Sequence, residues 1–473
     1  MLIRRVRAPR IDFGDLRREW KLPEQFPLAA QRVADESAAH PRIPDTDRTD
    51  IPFVTIDPAT SRDLDQAVCL QRRDAGGYRV LYAIADVASF VPAGSALDEE
   101  AWRRGQTVYL PDGKVPLHPT VLSEGAASLL PGEDRAAVVW AIDLDADGAT
   151  VAVHVERARV RSRAKLDYVG VQADVDAGTV AEPVALLPEI GRLLVARGLA
   201  RGAINLPMPE QEVEREDDGW RLVLRAPVPV EEYNAQISLL TGMAAATLML
   251  SGGLGLLRTM PSPRADAVAK LRTAAPGLGI QWPDGATVGE VIAAIDAGQP
   301  RGLAFLDEAA ELLRGAGYTA FDGTPPAEPG HGAVAAPYAH VTAPLRRLAD
   351  RYATEAALAA YTGAAAPDWV RDALPKLPAV MSETDRVASA VERGAVDLTE
   401  ATLLAGRVGE QFDAAVIDVD AVRADKPRPP GGTVALDDPP VRARCEGDLT
   451  LGSRIRVTLV EADAAKRAIL FRA

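Results

Sequence analysis

The sequence predicts an α+β protein in which a mixed sheet-and-helix body lies between a short helical N-terminal arm and a C-terminal β-barrel of the OB type. Strand-period apolar runs separated by glycine turns extend from Phe53 to about Lys165. Helix-period runs dominate from about Glu231 to Gly406. Short strands separated by turn residues fill the remainder. The expected domains are therefore 1–50, 51–405 and 406–473.

In the arm, FGDLRREW and FPLAAQRVADESAA are amphipathic pieces that read as small helices. Pro41, Pro44 and Pro52 break that pattern and mark the next domain. AVCLQRR, Gly76-Gly77 and YRVLYAIADV read as one hairpin, and AVVWAIDLD, Asp147-Gly148 and ATVAVHVERARV as another. NAQISLLTGMAAATLML reads as a core helix, since its most apolar run, Ile237 to Leu250, is too short for a bilayer. A proline break at 261–263 precedes helical RADAVAKLRTAA. FDAAVIDVDAVRAD, GTVALDD, VRARCEGD and SRIRVTLVEADAAKRAILF supply a five-stranded barrel, with proline-rich KPRPPGG, Lys426 to Gly432, as a loop inside it.

A chain of 473 residues, 47% hydrophobic and 25% charged, has material for two or three folded domains. Its net charge of −14 argues against polyanion binding over the whole surface, so any nucleic-acid site must be local. Cys69 and Cys445 make neither a disulfide framework nor a zinc knuckle and suit a reducing cytoplasm. MLIRRVRAPRIDF lacks the apolar core of a secretory signal. Lys114 follows Gly113, but Val108 stands where a phosphate loop needs glycine, and GGLGLLR lacks the third glycine of a dinucleotide fold. The histidines at 40, 118, 154, 331 and 340 have no zinc spacing, and no GxSxG elbow occurs.

TIDPATSRDLDQA crowds Asp57, Asp63 and Asp65 into nine residues. On an extended backbone Asp63 and Asp65 face one way and Leu64 the other, and a turn at Pro58 brings Asp57 back to them. Three carboxylates repel unless a cation sits between them; oxygen ligands suit Mg²⁺, and such a cluster can hold two ions for in-line attack on a phosphodiester. A solvated acidic loop is the competing reading. DLDADG resembles a calcium loop until its twelfth position, which is His154, so it is a hairpin turn. Arg157, Arg159, Arg161, Arg163 and Lys165 recur with period two, which makes either a local polyanion track or a charged edge strand. In YAHVTAPLRRLADRY, Thr342 is the expected helix cap, with Pro344 in the first turn and Leu345, Leu348 and Tyr352 as the apolar stripe. Arg346 and Arg347 then lie at a helix N-terminus, a conflict with the macrodipole that a bound phosphate would relieve; the alternative is a surface Arg346–Asp350 pair.

These blocks, with YAIADVASFVPAGSALDEEAWRRGQTVYLPDGKVPLHPTVLSEGAASLLPGEDR between them, resemble the signature blocks of the ribonuclease II and ribonuclease R family over about residues 50 to 405. The resemblance implies an RNB-type catalytic domain followed by an RNA-binding OB barrel. It implies a processive, Mg²⁺-dependent hydrolase, with Mn²⁺ able to substitute, that threads single-stranded RNA from its 3′ end into a deep channel and releases nucleoside 5′-monophosphates. A cytoplasmic monomer without membrane attachment is expected. By matching positions, Asp57, Asp63 and Asp65 bind metal, and Asp63 and Asp65 are catalytic, with Asp65 indispensable for cleavage. Arg346 holds the scissile phosphate, Tyr109 stacks on the terminal bases, Tyr168 stacks farther away and Glu392 lies near the 3′ nucleotide. Arg347 and the basic strand, through Arg159, Arg161 and Arg163, are further candidate RNA contacts. Gln66 stands in the place of a fourth aspartate, as a neutral oxygen ligand. Ala343 replaces a usual serine, Ala235 and Gln236 replace paired glutamates, and about 50 residues precede the acidic block where paired cold-shock barrels are usual. The competing expectations are an RNA-binding protein on a catalytically impaired scaffold and a metal-dependent phosphatase of small molecules.

Overall fold

The structure is a computed structural model that describes residues 4–8, 10–216, 219–420 and 429–473. Four antiparallel strands, Gln66–Arg72, Tyr78–Ala85, Asp134–Leu144 and Thr150–Arg161, pair in chain order at its centre, as the two predicted hairpins require. Val80, Tyr82, Ile84, Val138, Trp140 and Ile142 face the main core, while Ala83, Ala85, Ala137 and Val139 face a second one. Period-two alternation of large and small residues therefore buries both faces of the sheet.

The main core is closed by the helices Pro229–Gly252 and Leu348–Thr362. The first is 24 residues long and contains an 18-residue stretch with a mean hydropathy of 1.3, so length and composition alone would allow a membrane span; the 14-residue run had been expected to be too short for that. Here Ile237, Leu240, Ala245 and Met249 are buried in the main core, as a core helix requires.

The N-terminal arm departs from the purely helical expectation. Helices Gly14–Glu19 and Leu28–Ala39 form where predicted, but Arg4–Ala8 is a strand antiparallel to Gly219–Arg225, which also pairs with Glu210–Glu216. A partner so distant in sequence leaves no local sign in RRVRA. Phe13 and Leu16 are fully buried in one cluster with Trp220, Val391 and Ala395, so the arm is part of the body.

At the C-terminus, Gln411–Val419, Gly431–Leu436, Arg442–Glu446, Arg454–Asp463 and Ala468–Arg472 close into the predicted five-stranded barrel. Residues 426–428 of the proline-rich loop, and the end of the FDAAVIDVDAVRAD reading at 421–425, lie outside the described residues. The barrel docks on the long helix Leu377–Leu404, where buried Glu400 accepts hydrogen bonds from Arg442 N at 3.0 Å and Gln211 Nε2 at 2.6 Å.

Burial pushes the Glu400 carboxyl from 4.5 up to about 7. The folded protein thus holds this proton more tightly than the unfolded chain, so the stabilisation is complete below the unfolded value and is lost as pH rises through the folded one. Glu400→Gln keeps an acceptor and removes the titration. Urea unfolding at about pH 4 and about pH 8 should show the parent losing on the order of 3 kcal/mol relative to the variant at the higher pH. An identical pH dependence in both proteins would refute the assignment.

Candidate active site

The acidic loop is held from two sides. Thr55–Ile56 pairs in parallel with Lys165–Leu166, and Asp57 N donates to Leu166 O at 3.1 Å. Lys165 Nζ donates to the carbonyls of Ala59 and Ser61, each at 2.6 Å, which closes the turn after Pro58. On the other side Leu64 N donates to Ser128 Oγ at 3.0 Å, and that hydroxyl donates to Arg62 O at 2.7 Å. Leu64 is fully buried, so the two-residue spacing turns Asp63 and Asp65 away from the core, as expected.

Asp65 Oδ1 accepts Leu345 N at 2.8 Å, and its Oδ2 lies 3.5 Å from Arg346 Nε. The Arg346 side chain remains 46% exposed. Asp63 pairs with Lys114 Nζ at 3.0 Å and lies 3.4 Å from the Tyr109 hydroxyl; Lys114 also meets Glu124 at 2.9 Å. Tyr109 and Lys114 are cross-strand partners on the hairpin Val108–Leu110 and Gly113–Val115, and Tyr109 is 50% exposed. Tyr168 accepts a hydrogen bond from Asn234 Nδ2 at 3.3 Å; burial, then the Asp57 charge, raises its hydroxyl. Burial pushes Asp57 up to about 6 against the neighbouring Thr55 side chain and the pull of Arg346, and pushes Asp65 up to about 8 against Arg346 and the Leu345 amide. Asp57 Oδ2 is buried without a hydrogen-bond partner.

Several expected contacts are redistributed. The helix begins at Leu348, not after a Thr342 cap, because residues 342–347 bind to other parts of the chain. Ala343 N donates to Asp350 Oδ1 at 2.7 Å, Leu345 N to Asp65, and Arg346 O accepts Thr107 N at 2.9 Å. Arg347 occupies the N-cap position and makes a bidentate pair with the buried Asp350, both contacts at 2.9 Å. The expected alternative pair to Asp350 is therefore made by Arg347, and Arg347 is committed inside the protein instead of being free for RNA. The basic strand is also engaged: Arg157 pairs with Asp86 and Glu355, Arg159 with Asp47, and Arg161 with Asp134, while Arg163 donates to Thr49 O. Self-pairing on this edge strand thus favours the charged-edge reading over the open polyanion track. Glu392 is exposed on the Leu377–Leu404 helix, near Glu210. Gln66 donates its amide to the Thr342 carbonyl.

The RNB domain family matches residues 45–362, and the RNase II-type exonuclease C-terminal S1 domain matches residues 410–473. The chain belongs to the RNB family. It is 30% identical over 365 residues to ribonuclease R of Escherichia coli (strain K12), covering 70% of this chain and 43% of that protein. To ribonuclease R of Aquifex aeolicus (strain VF5) it is 28% identical over 425 residues, covering 84% and 58%. The chain thus spans about half the length of these relatives. Among solved structures, Mycoplasma genitalium RNase R in complex with ribose methylated single-stranded RNA matches with a TM-score of 0.82 at 20% identity, over 97% of this chain and 77% of that one. Yeast Ssd1, a pseudonuclease, matches at 0.66 and 19% identity, over 94% and 54%. These two likenesses establish the fold: an RNB body with its trailing barrel.

RNB-family nucleases of the ribonuclease R type generally depend on a divalent metal. The donors here fit one: an orphaned buried carboxylate oxygen and two carboxyls pushed far up by burial are conditions that a hard dication relieves. Among the described residues, however, no three His, Cys, Asp or Glu side chains already stand in a metal-holding arrangement. The electrostatics carry more weight, because carboxylate rotamers shift at small cost whereas the burial of Asp57 and Asp65 is fixed by the backbone. Motif reading gave Lys114 and Asp350 other roles, a rejected phosphate-loop lysine and a surface partner of Arg346, and missed their contacts with Asp63 and with Arg347. The hairpin register of TVYLPDGKV could have found the first; the second needs the fold.

Asp350→Ala leaves the half-buried Arg347 guanidinium without its fully buried counter-charge, so it should destabilise by about 3 kcal/mol in urea unfolding. Asp322→Ala, which breaks the exposed pair with Arg371, should cost about 1 kcal/mol or less. Equal effects would contradict this account.

Proposed function

We propose that this chain is a Mg²⁺-dependent exoribonuclease that removes nucleotides processively from the 3′ end of single-stranded RNA as 5′-monophosphates, with Mn²⁺ able to substitute. The observation that carries the reading is the buried Asp65 carboxylate beside the half-exposed Arg346 guanidinium. Asp65 engages Nε, which leaves the terminal nitrogens to grip a phosphate as a fork. Tyr109 lies by Asp63, Tyr168 feels the Asp57 charge, and both offer stacking surfaces indifferent to sequence, because every base has a π-face. Asp57, Asp63 and Asp65 would hold Mg²⁺, which when bound supplies charge neutralisation and an activated water. Ribonuclease R relatives and the RNA-bound Mycoplasma structure support RNA as substrate. The buried free cysteines, Cys69 and Cys445, suit a reducing cytoplasm.

A second reading, an RNA binder on an impaired scaffold, draws on the Ssd1 likeness and on Gln66 in the place of an aspartate. The presence of all three aspartates with Arg346 favours the enzyme.

Purified protein should shorten 5′-labelled single-stranded RNA stepwise from its 3′ end in Mg²⁺, and neither EDTA-treated protein nor Asp65→Asn should do so. Bound but intact RNA in every lane would establish the binder instead. Arg346→Ala should lower turnover by roughly 10²-fold or more. It should also reduce the salt slope of RNA binding by about one, whereas Arg161→Ala, whose charge is already paired, leaves that slope unchanged.

A further inference from the structure

We propose that Gln66 is a positioning residue that clasps the Arg346 loop to the aspartate strand, and is not a ligand of the metal. Gln66 opens the strand Gln66–Arg72 directly after Asp65. Its amide nitrogen donates to the backbone carbonyl of Thr342, a residue 276 positions away. Because a carbonyl oxygen only accepts, the nitrogen of the amide must be the atom that faces it. The segment 342–347 holds only one turn of its own, in which Arg346 N and Arg347 N donate to Ala343 O at 3.1 and 2.9 Å, and three side chains fasten the rest of its backbone. Gln66 takes the carbonyl of Thr342, Asp350 takes the amide of Ala343 at 2.7 Å, and Asp65 takes the amide of Leu345 at 2.8 Å. Two of these fasteners are consecutive residues, so the strand that presents Asp65 also sets the place of Arg346.

The chemistry at position 66 follows from this contact. A carboxylate there would set lone pairs against the Thr342 carbonyl and push the loop away, whereas an amide supplies the needed donor without charge. The neutral residue therefore reads as a requirement of the clasp, and the carboxylates left for a cation are Asp57, Asp63 and Asp65. The consequence for RNA rests on the reading of Arg346 as the phosphate-holding group; the consequences for the loop and for metal affinity do not.

The test uses the full chain with Gln66→Met, which has neither donor nor ligand oxygen, and Gln66→Glu, which has ligand oxygens but no donor. Hydrogen exchange at Ala343, Leu345, Arg346 and Arg347 should become roughly tenfold faster in both variants, as the loss of one buried hydrogen bond predicts. Gln66→Met should bind Mn²⁺, measured by calorimetry, within about twofold of the parent, and both variants should bind a single-stranded oligonucleotide in EDTA roughly tenfold more weakly. Parental exchange in both variants, or a loss of Mn²⁺ affinity of about tenfold or more in Gln66→Met, would overturn the clasp. If Gln66→Met does not fold, Gln66→Glu decides by exchange alone. Failure of the parent to bind RNA would count against the proposed function and leave the exchange result to judge the clasp.

Discussion

The hydrogen bond from Leu345 N to Asp65 Oδ1, 2.8 Å long and spanning 280 positions of sequence, joins the two halves of the site. Each half gains from the other: Asp65 gains the Arg346 charge, and the arginine segment, which precedes its helix, gains an anchor. Their meeting is set by the main core, where Val80, Tyr82 and Trp140 of the sheet and Leu348 and Tyr352 of the helix share one apolar cluster. Close packing of that kind resists small displacements, so core geometry becomes site geometry. Asp65 remains costly to ionise even so, because burial outweighs the Arg346 charge and the Leu345 amide together.

With a net charge of −14, any attraction of a polyanion is a local matter, and the ion pairs show which cations remain open for it. Arg157, Arg159 and Arg161 each meet acids within the fold, so they stabilise and orient the sheet edge and contribute little field outside. Arg346 differs: among the described residues it pairs with Asp65, 3.5 Å from Nε, and nearly half of its side chain is open. Its Nε side is thus held while the rest of the guanidinium stays open, which is what the proposed grip on a phosphate needs.

Features fixed by near neighbours could be read from sequence: the two hairpins, the barrel, the burial of Leu64 between Asp63 and Asp65, and the long core helix. Features fixed by remote partners could not. The Thr342 cap fails because Gln66, Asp65 and Asp350 compete for the backbone that a helix would have used. Arg347 and Asp350, three apart, are ordinary helix-surface neighbours on paper, and only the fold buries the carboxylate. Five cations in period two suggest a track until Asp47, Asp86, Asp134 and Glu355 arrive from four other places. Lys114 carries no motif, yet a hairpin register sets it beside Tyr109 and on Asp63.

The N-terminal arm enters the same chain of support. Arg17 makes a bidentate pair with Asp112, both contacts at 2.7 Å, and so braces the turn of the hairpin that presents Tyr109 and Lys114. Farther along the arm, Gln25 O accepts from Arg104 Nη2 at 2.8 Å, and the Arg104 guanidinium lies 3.7 Å from the centre of the Phe26 ring. Arg104 ends the helix Ala96–Arg104, and Gly105, at φ +65° with no room for a Cβ against Thr384, turns the chain back. Gly105 O then accepts Leu348 N at 2.9 Å, and Thr107 N donates to Arg346 O at 2.9 Å. The arm thus reaches Arg346 by way of Arg104 and the short segment that follows it: Gln25 and Phe26 meet Arg104, and Thr107 meets Arg346. The residues that precede the acidic block are a structural part of the site and not merely a leader to it.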